Sequence, residues 1–254
     1  MDASKTAWLK VVFCIFVSCP LFAEDKTQVN IVPALNQVVG SFYTFGAKPS
    51  EGGKRVMFIG NSITLHGPRP SIGWTNRCGM AASDLAHDYV HCFAERMSQK
   101  EPKTSFAIFQ VADSVERGFT NDVWLTEKTF APVRDYRADV IFLFFGANVL
   151  HAYDKDPAAF PHRFCDTVVE LVRFIDPERK AQVFISEGYY VRPVLDKEKA
   201  LAAKELGATM VRMSDIRADG KTRGRFNHPN DYGMKCIADR FWDVYCGRDV
   251  RPVP

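Results

Sequence analysis

The segment Asp139–Gly146 constrains the fold more than any other part of this sequence. It reads DVIFLFFG, with apolar side chains at both odd and even positions. Successive side chains of a strand point to opposite faces of a sheet, so a strand of this composition must be covered on both faces. Central parallel strands of α/β domains, which helices cover on each side, have this pattern. The segment therefore predicts an α/β domain.

Shorter apolar runs recur along the chain and alternate with amphipathic helical stretches. The four other predicted strands are Arg55–Gly60, Ser105–Ala112, Gln182–Ser186 and Ala208–Met213. The predicted helices are Met80–Ser98, Pro161–Ile175, Leu195–Leu206 and Asp231–Tyr245. This alternation predicts a three-layer α/β/α sandwich around a five-stranded, mainly parallel sheet. Sites in such sheets form where the carboxyl ends of the strands meet loops.

The N-terminus has the features of an export signal. Positive charge precedes the almost wholly apolar run Val11–Phe22, and the small residue Ala23 follows it. The run has twelve residues, fewer than the roughly 20 that cross a bilayer. We therefore predict a signal peptide over residues 1–23, a secreted or periplasmic protein, and no stable membrane partner. An uncleaved anchor and a lipoprotein signal ending at Cys19 remain alternatives.

The remaining chain divides into a lead-in and one domain. Residues 24–54 carry scattered Pro, Gly, Ser and Lys, and we interpret them as irregular. The strand–helix alternation starts at Arg55, so residues 55–254 form the predicted domain. The formal charge is only +3 and no basic run stands out, so nothing indicates a nucleic-acid partner. No Cys-x-x-Cys pair exists and the cysteines form no dense disulfide framework.

Three predicted loops at the carboxyl edge of the sheet carry side chains suited to nucleophilic catalysis. Ser62 follows the first strand, where turn N–H groups can hold negative charge. Asn148 follows the central strand and can offer its side-chain amide to an oxyanion. His228 precedes the last helix, and its ordinary pKa suits proton exchange with a serine. Each residue alone is compatible with an ordinary turn or loop.

Taken together, the three blocks resemble those of the SGNH (GDSL-like) hydrolases. The blocks are Gly60–Ser62, Gly146–Asn148 and His228–Asp231. They occur in the family's order and follow the corresponding strands, and the resemblance covers nearly all of residues 55–245. The family uses a Gly-Asp-Ser-type block for the nucleophile, a Gly-x-Asn block for an oxyanion donor, and a His-Pro block for the base. The resemblance therefore implies a flavodoxin-like SGNH hydrolase fold with a Ser62–His228 catalytic pair.

Two departures from the family pattern affect the expected site. The family's second block usually offers a glycine N–H to the oxyanion, but Phe109–Asp113 contains no glycine. The backbone N–H of Ala112 or Asp113 can take that role, so the predicted oxyanion hole comprises Ser62, Ala112 and Asn148.

The second departure concerns the partner of His228. The family usually has an Asp three residues before the histidine, where this chain has Arg225. Without an acceptor, nothing selects the histidine tautomer. A main-chain carbonyl or one of the acids Asp231, Asp219 and Glu187 can supply that acceptor, and the sequence does not choose among them.

The resemblance and the predicted export imply an exported serine esterase. It would hydrolyse esters through an acyl-serine, deacetylating carbohydrates or polysaccharides, and would need no metal or organic cofactor. The aromatic residues that fall near the predicted rim loops can stack on sugars or pack in the core: Trp74, Trp124, Tyr189 and Tyr190. A non-catalytic carbohydrate-binding protein of this fold and a lipid or thioester hydrolase are the alternatives.

One pair of histidines suggests a rival chemistry. His87 and His91 lie four residues apart, as in the zinc-binding His-Glu-x-x-His motif. Asp88 stands where that motif has its glutamate, and no third ligand follows. Solvent-facing positions on an amphipathic helix explain the spacing equally well, so we predict no metal site.

Overall fold

The computed structural model describes residues 42–249. The predicted signal peptide and most of the predicted lead-in lie outside these residues, so export and lipid anchoring stay predictions. No helix within residues 42–249 is long and apolar enough to span a membrane.

A six-stranded sheet forms the middle layer, with the strand order β1-β3-β2-β4-β5-β6. Strand β1 is antiparallel to β3, and all other neighbouring strands are parallel. The strands are β1 (Phe42–Gly46), β2 (Arg55–Gly60), β3 (Ser105–Gln110), β4 (Val140–Phe144), β5 (Gln182–Ser186) and β6 (Thr209–Val211). The α/β fold class predicted from the sequence is confirmed.

The predicted count of five strands is wrong, because β1 adds an edge strand within the segment interpreted as irregular. Phe42 pairs with Phe109 of β3, and Phe42 is the only residue of β1 that is buried, the others being half-buried or exposed. A short edge strand that is mostly half-buried lacks the long, fully apolar run of a central strand. Its pairing depends on contacts far along the chain, which periodicity does not reveal.

Helices cover both faces of the sheet. On one face, α2 (Glu127–Asp135), α3 (His151–Lys155), α4 (Phe164–Ile175) and α5 (Pro193–Leu206) pack on one apolar cluster. On the other face, α1 (Tyr89–Lys100), α6 (Ser214–Ala218) and α7 (Asp231–Tyr245) pack on a second cluster. Two separate cores on either side of one sheet confirm the predicted three-layer sandwich.

Helix ends follow capping chemistry more closely than apolar periodicity. The predicted helix over Met80–Ser98 begins only at Tyr89, because the Asp88 side chain caps it by accepting from the N–H of His91. Ala81 has φ +77°, which is incompatible with a continuous helix there. The predicted Asp231–Tyr245 helix has the same bounds in the structure, where Asn230 caps its first turn.

The turn after β2 depends on the absence of a side chain at Gly60. A Cβ at this position would lie 1.8 Å from Thr64 Oγ1 and 2.9 Å from the Phe144 carbonyl oxygen. Thr64 folds back over the turn and its hydroxyl bonds the Tyr89 hydroxyl at 2.8 Å. The close approach places the residues after Gly60 at the carboxyl edge of the sheet.

We predict that Gly60→Ala lowers the free energy of unfolding by about 1–3 kcal/mol, because the added methyl overpacks a rigid, buried turn. Urea unfolding followed by circular dichroism measures the change. Gly220→Ala is the matched control, since a Cβ there meets nothing within 4 Å. Equal unfolding midpoints for the two variants would contradict this account of the turn.

Candidate active site

A serine and a histidine that are far apart in sequence meet at the carboxyl edge of the sheet. Ser62 lies in the turn after β2, and His228 lies just before α7. Ser62 Oγ and His228 Nε2 are 2.8 Å apart. The Ser62 residue is 8% exposed, so bulk water competes little for this contact. The structure thus brings together the predicted nucleophile and the predicted base.

A main-chain carbonyl orients the histidine ring. His228 Nδ1 lies 2.7 Å from the Phe226 carbonyl oxygen, which can only accept a hydrogen bond. Nδ1 must therefore carry the proton, and Nε2 is left as the acceptor for the Ser62 hydroxyl. The Tyr190 hydroxyl is also 3.3 Å from Nδ1, but it donates to the Asn227 carbonyl at 2.9 Å.

None of the acids considered as partners of His228 contacts its ring. Each carboxylate instead accepts from main-chain N–H groups: those of Ser83 for Asp231, Lys221 for Asp219, and Met213 and Ser214 for Glu187. Among the alternatives left open by the sequence, the main-chain carbonyl is the one that the geometry selects.

The segment that presents this carbonyl has an unusual backbone. Phe226 and Asn227 have φ values of +57° and +60°, in the left-handed region that bulky side chains rarely adopt. The Trp74 ring packs against the Phe226 ring at 6.3 Å, edge to face. The Arg225 guanidinium lies 4.8 Å from the centre of the same ring. These contacts stabilise a strained turn at a functional position.

Burial lowers the pKa of His228 below its ordinary value of 6.5, since the charged form loses hydration in this site. The Phe226 carbonyl acts in the opposite direction by favouring the protonated ring, and the nearby His66 lowers the pKa further. The net effect keeps the imidazole neutral at neutral pH. A neutral imidazole is the form that can take the proton of Ser62.

The three predicted oxyanion donors differ in their hydrogen bonding. Among the described residues, the Ser62 N–H donates no hydrogen bond. Asn148 Nδ2 donates to Glu116 Oε2 at 2.6 Å, which uses one of its two protons. The Ala112 N–H donates to the Gln110 side-chain oxygen at 2.9 Å. Ser62 and Asn148 thus retain a donor for an oxyanion, whereas Ala112 would have to exchange an existing bond.

Glu116 is the residue at this site that the sequence does not reveal. It is completely buried and lies in a π-helical turn, Ala112–Arg117, that follows β3. Its carboxylate accepts hydrogen bonds from Asn61 and Asn148 and from the main chain at Gly146. The residue belongs to none of the three blocks, and a glutamate in a loop is ordinarily solvated, so no sequence signal points to it.

The other sequence candidates lie apart from the Ser62–His228 pair. His87 and His91 bond the carboxylates of Asp84 and Asp88 at 2.7 and 2.8 Å, as parts of helix caps. Over residues 42–249, no group of three or more His, Cys, Asp or Glu could hold a metal ion. Trp124 packs in the core against α2.

Several solved structures have a fold similar to that of this chain. TesA has a TM-score of 0.52 and 9% identity, covering 75% of this chain and 97% of its own. A two-domain esterase active on acetylated mannans has a TM-score of 0.53 and 16% identity, covering 81% of this chain and 55% of its own. A Bacteroides uniformis protein described as a GDSL-like lipase has a TM-score of 0.51 and 13% identity, covering 78% of this chain and 98% of its own.

These likenesses establish that the chain has the SGNH hydrolase fold, as its three sequence blocks predict. No protein-family model matches the sequence, and no curated protein sequence matches it either. The chain spans about half the length of the two-domain esterase. The property shared with these structures is therefore the fold.

We predict that Asp231→Asn and Glu187→Gln leave the acylation of Ser62 by a small activated ester within about fivefold of the unmodified rate. Neither carboxylate touches His228, whereas the amide replacement of a true triad aspartate costs about 10⁴-fold. Stopped-flow acylation measures the rate, and melting temperatures verify folding. A loss near 10³-fold in either variant would show that its carboxylate acts on His228.

The lowered pKa of His228 also predicts a pH profile. The base works only when neutral, so reactivity falls as pH drops through its pKa. Because burial lowers that pKa, the midpoint of the acidic limb of kcat/KM is expected below 6.5. Initial rates with a small ester across pH 4–9 test this, with circular dichroism confirming the fold at each pH. A midpoint above 6.5 would contradict the assigned environment.

Proposed function

We propose that this protein is a serine esterase that hydrolyses its substrate through an acyl-serine intermediate. The observation that carries the proposal is the 2.8 Å contact between Ser62 Oγ and His228 Nε2. It lies at the carboxyl edge of an SGNH-fold sheet, and Glu116 connects Asn148 to Asn61, the residue before Ser62. A nucleophile within hydrogen-bonding distance of an oriented base is the minimal requirement for acyl transfer.

The chemistry follows from these positions. Ser62 Oγ attacks the ester carbonyl carbon while its proton passes to His228 Nε2. The tetrahedral oxyanion accepts from the Ser62 N–H and the free N–H of Asn148. As the C–O bond to the alcohol breaks, His228 returns the proton to the departing oxygen. Water then attacks the acyl-serine with His228 as base, which releases the acid and restores the Ser62 hydroxyl.

A small cavity lined by both chain neighbours of Ser62 is the proposed site of the acyl group. A cavity of about 10 Å³ is lined in part by Asn61 and Ile63, the neighbours of Ser62, and by Gly146 and Tyr190. That volume is about what a single water molecule needs. It suits an acetyl methyl and opposes a long acyl chain. Acetate is therefore the proposed acyl product, in preference to the products of a lipid hydrolase.

A wider groove, lined in part by residues that flank His228 in the sequence, suits a polar alcohol. The groove has a volume of about 470 Å³, and its lining includes Trp74, Asn76, Arg225 and Tyr232. The exposed Tyr232 ring can stack on a sugar, and amide and guanidinium groups can bind its hydroxyls, whereas Trp74 is buried and helps to form the groove wall. The similar two-domain esterase is active on acetylated mannans, which supports an acetylated carbohydrate as the substrate. The predicted signal peptide supports an exported enzyme.

A non-catalytic binding protein is the second candidate. One similar structure, a carbohydrate esterase with divergent catalytic and non-catalytic binding functions, has a TM-score of 0.53 and 11% identity. In this chain Arg225 replaces the usual acid, which favours that alternative. The Phe226 carbonyl compensates by orienting His228, so the enzymatic function has the stronger structural support.

Release of acetate tests the proposal. We expect the unmodified protein to release acetate from p-nitrophenyl acetate and from acetylated mannan or xylan. Ser62→Ala and His228→Ala should each lower kcat by about 10³–10⁶-fold, because the two groups act as one unit. An active-site phosphonate should label the unmodified protein and not Ser62→Ala.

Two outcomes separate the candidates. A folded protein that neither releases acetate nor reacts with the phosphonate is not a serine esterase, and binding to mannan or xylan would then support the non-catalytic alternative. A protein that reacts with the phosphonate but spares acetylated polysaccharides is an esterase for a different alcohol.

A further inference from the structure

We propose that Glu116 is the positioning residue of this active site, and that its charge is the reason why asparagine precedes the nucleophile. The proposal rests on the esterase function proposed above. Glu116 is fully buried, and within residues 42–249 it forms no salt bridge. All its partners are N–H donors, at Asn61, Gly146 and Asn148. A group that only accepts hydrogen bonds has the bonding pattern of an ionised carboxylate.

The first consequence concerns Asn61. Its Nδ2 donates to Glu116 Oε1 at 2.9 Å, and its Oδ1 accepts from the Ile63 N–H at 3.2 Å. The side chain thus spans the nucleophile turn and ties it to Glu116. The SGNH blocks usually have aspartate at this position. An aspartate here would place two carboxylates in contact without a proton donor between them, which is unfavourable in a buried site.

The second consequence concerns the peptide between Phe145 and Gly146. Its N–H donates to Glu116 Oε1, and its carbonyl accepts from Lys199 Nζ at 3.3 Å. Lys199 is 2% exposed and also contacts Asp196 at 2.9 Å. One peptide unit is therefore held between a buried anion and a buried cation. Gly146, with φ +123°, lets the backbone adopt this orientation.

The third consequence concerns the oxyanion donor. Glu116 Oε2 accepts one N–H of Asn148 at 2.6 Å, and Arg117 donates to Asn148 Oδ1 at 2.9 Å. These two bonds set the plane of the amide and leave its second N–H as the remaining donor. A donor that is oriented before the substrate binds stabilises an oxyanion without reorganisation during the reaction. Glu116 thus acts on the reaction through Asn148 and the Ser62 turn.

A swap of the charge between positions 61 and 116 tests the proposal. We compare Glu116→Gln, Asn61→Asp and the double variant with the unmodified protein, using kcat and KM for p-nitrophenyl acetate. Glu170→Gln is the matched control, because Glu170 is exposed on α4. Each single change at the site should lower kcat by about 10–10³-fold, as expected for a disturbed oxyanion hole, while KM changes by less than about threefold.

The double variant supplies the sharper readout. Its new amide at position 116 can donate to its new carboxylate at position 61, so kcat should recover at least about tenfold relative to Asn61→Asp alone. A residue that merely filled space would show no such recovery. Full activity of Asn61→Asp, or a double variant no better than it, would overturn the proposal.

Folding and function are separated by two further measurements. Melting temperatures identify variants that lose structure, and phosphonate labelling counts the reactive Ser62 in each sample. If Glu116→Gln does not fold, the comparison of Asn61→Asp with the double variant still decides the question. If the unmodified protein neither hydrolyses esters nor reacts with the phosphonate, the proposed function fails. Recovery of the melting temperature in the double variant then tests the contact between positions 61 and 116 by itself.

Discussion

Burial of β4 on both faces is the constraint from which the site follows. No side chain of Val140–Phe144 is more than 3% exposed, so helices must cover the sheet on both sides. Strand β2 pairs with β4 in parallel, and so does β5. The carboxyl ends of these strands therefore lie at one edge. The loops that carry Ser62 and Asn148 meet there because their strands are neighbours, and α7 brings His228 to the same edge.

Charge is distributed in this site in an unusual way. The histidine is oriented by the neutral Phe226 carbonyl, while the buried carboxylate of Glu116 orients Asn148, the proposed oxyanion donor. A carbonyl stabilises an imidazolium less than a carboxylate does, which agrees with the lowered pKa of His228. The Phe226 carbonyl can reach the ring because two consecutive residues adopt left-handed backbone angles. The Trp74 and Arg225 contacts help to stabilise that turn.

The two halves of the proposed substrate would meet different surfaces. The small cavity near Ile63 and Gly146 has room for about one water molecule, whereas the groove lined in part by Trp74 is large and partly polar. Selectivity would then come from steric limits on the acyl side and from hydrogen bonding and stacking on the alcohol side. The fold itself imposes neither, since loop residues supply much of the lining of both spaces.

The sequence alone determined the layered α/β architecture, the order of the parallel strands along the chain, and the loops that carry Ser62, Asn148 and His228. These depend on apolar runs and short local motifs, which are visible residue by residue. The edge strand Phe42–Gly46 and the start of α1 depend on long-range pairing and capping, so periodicity predicted them poorly. The roles of Phe226 and Glu116 were decided only by the tertiary structure. A carbonyl is present in every residue, and a buried carboxylate differs from an exposed one only through the groups that the fold places around it.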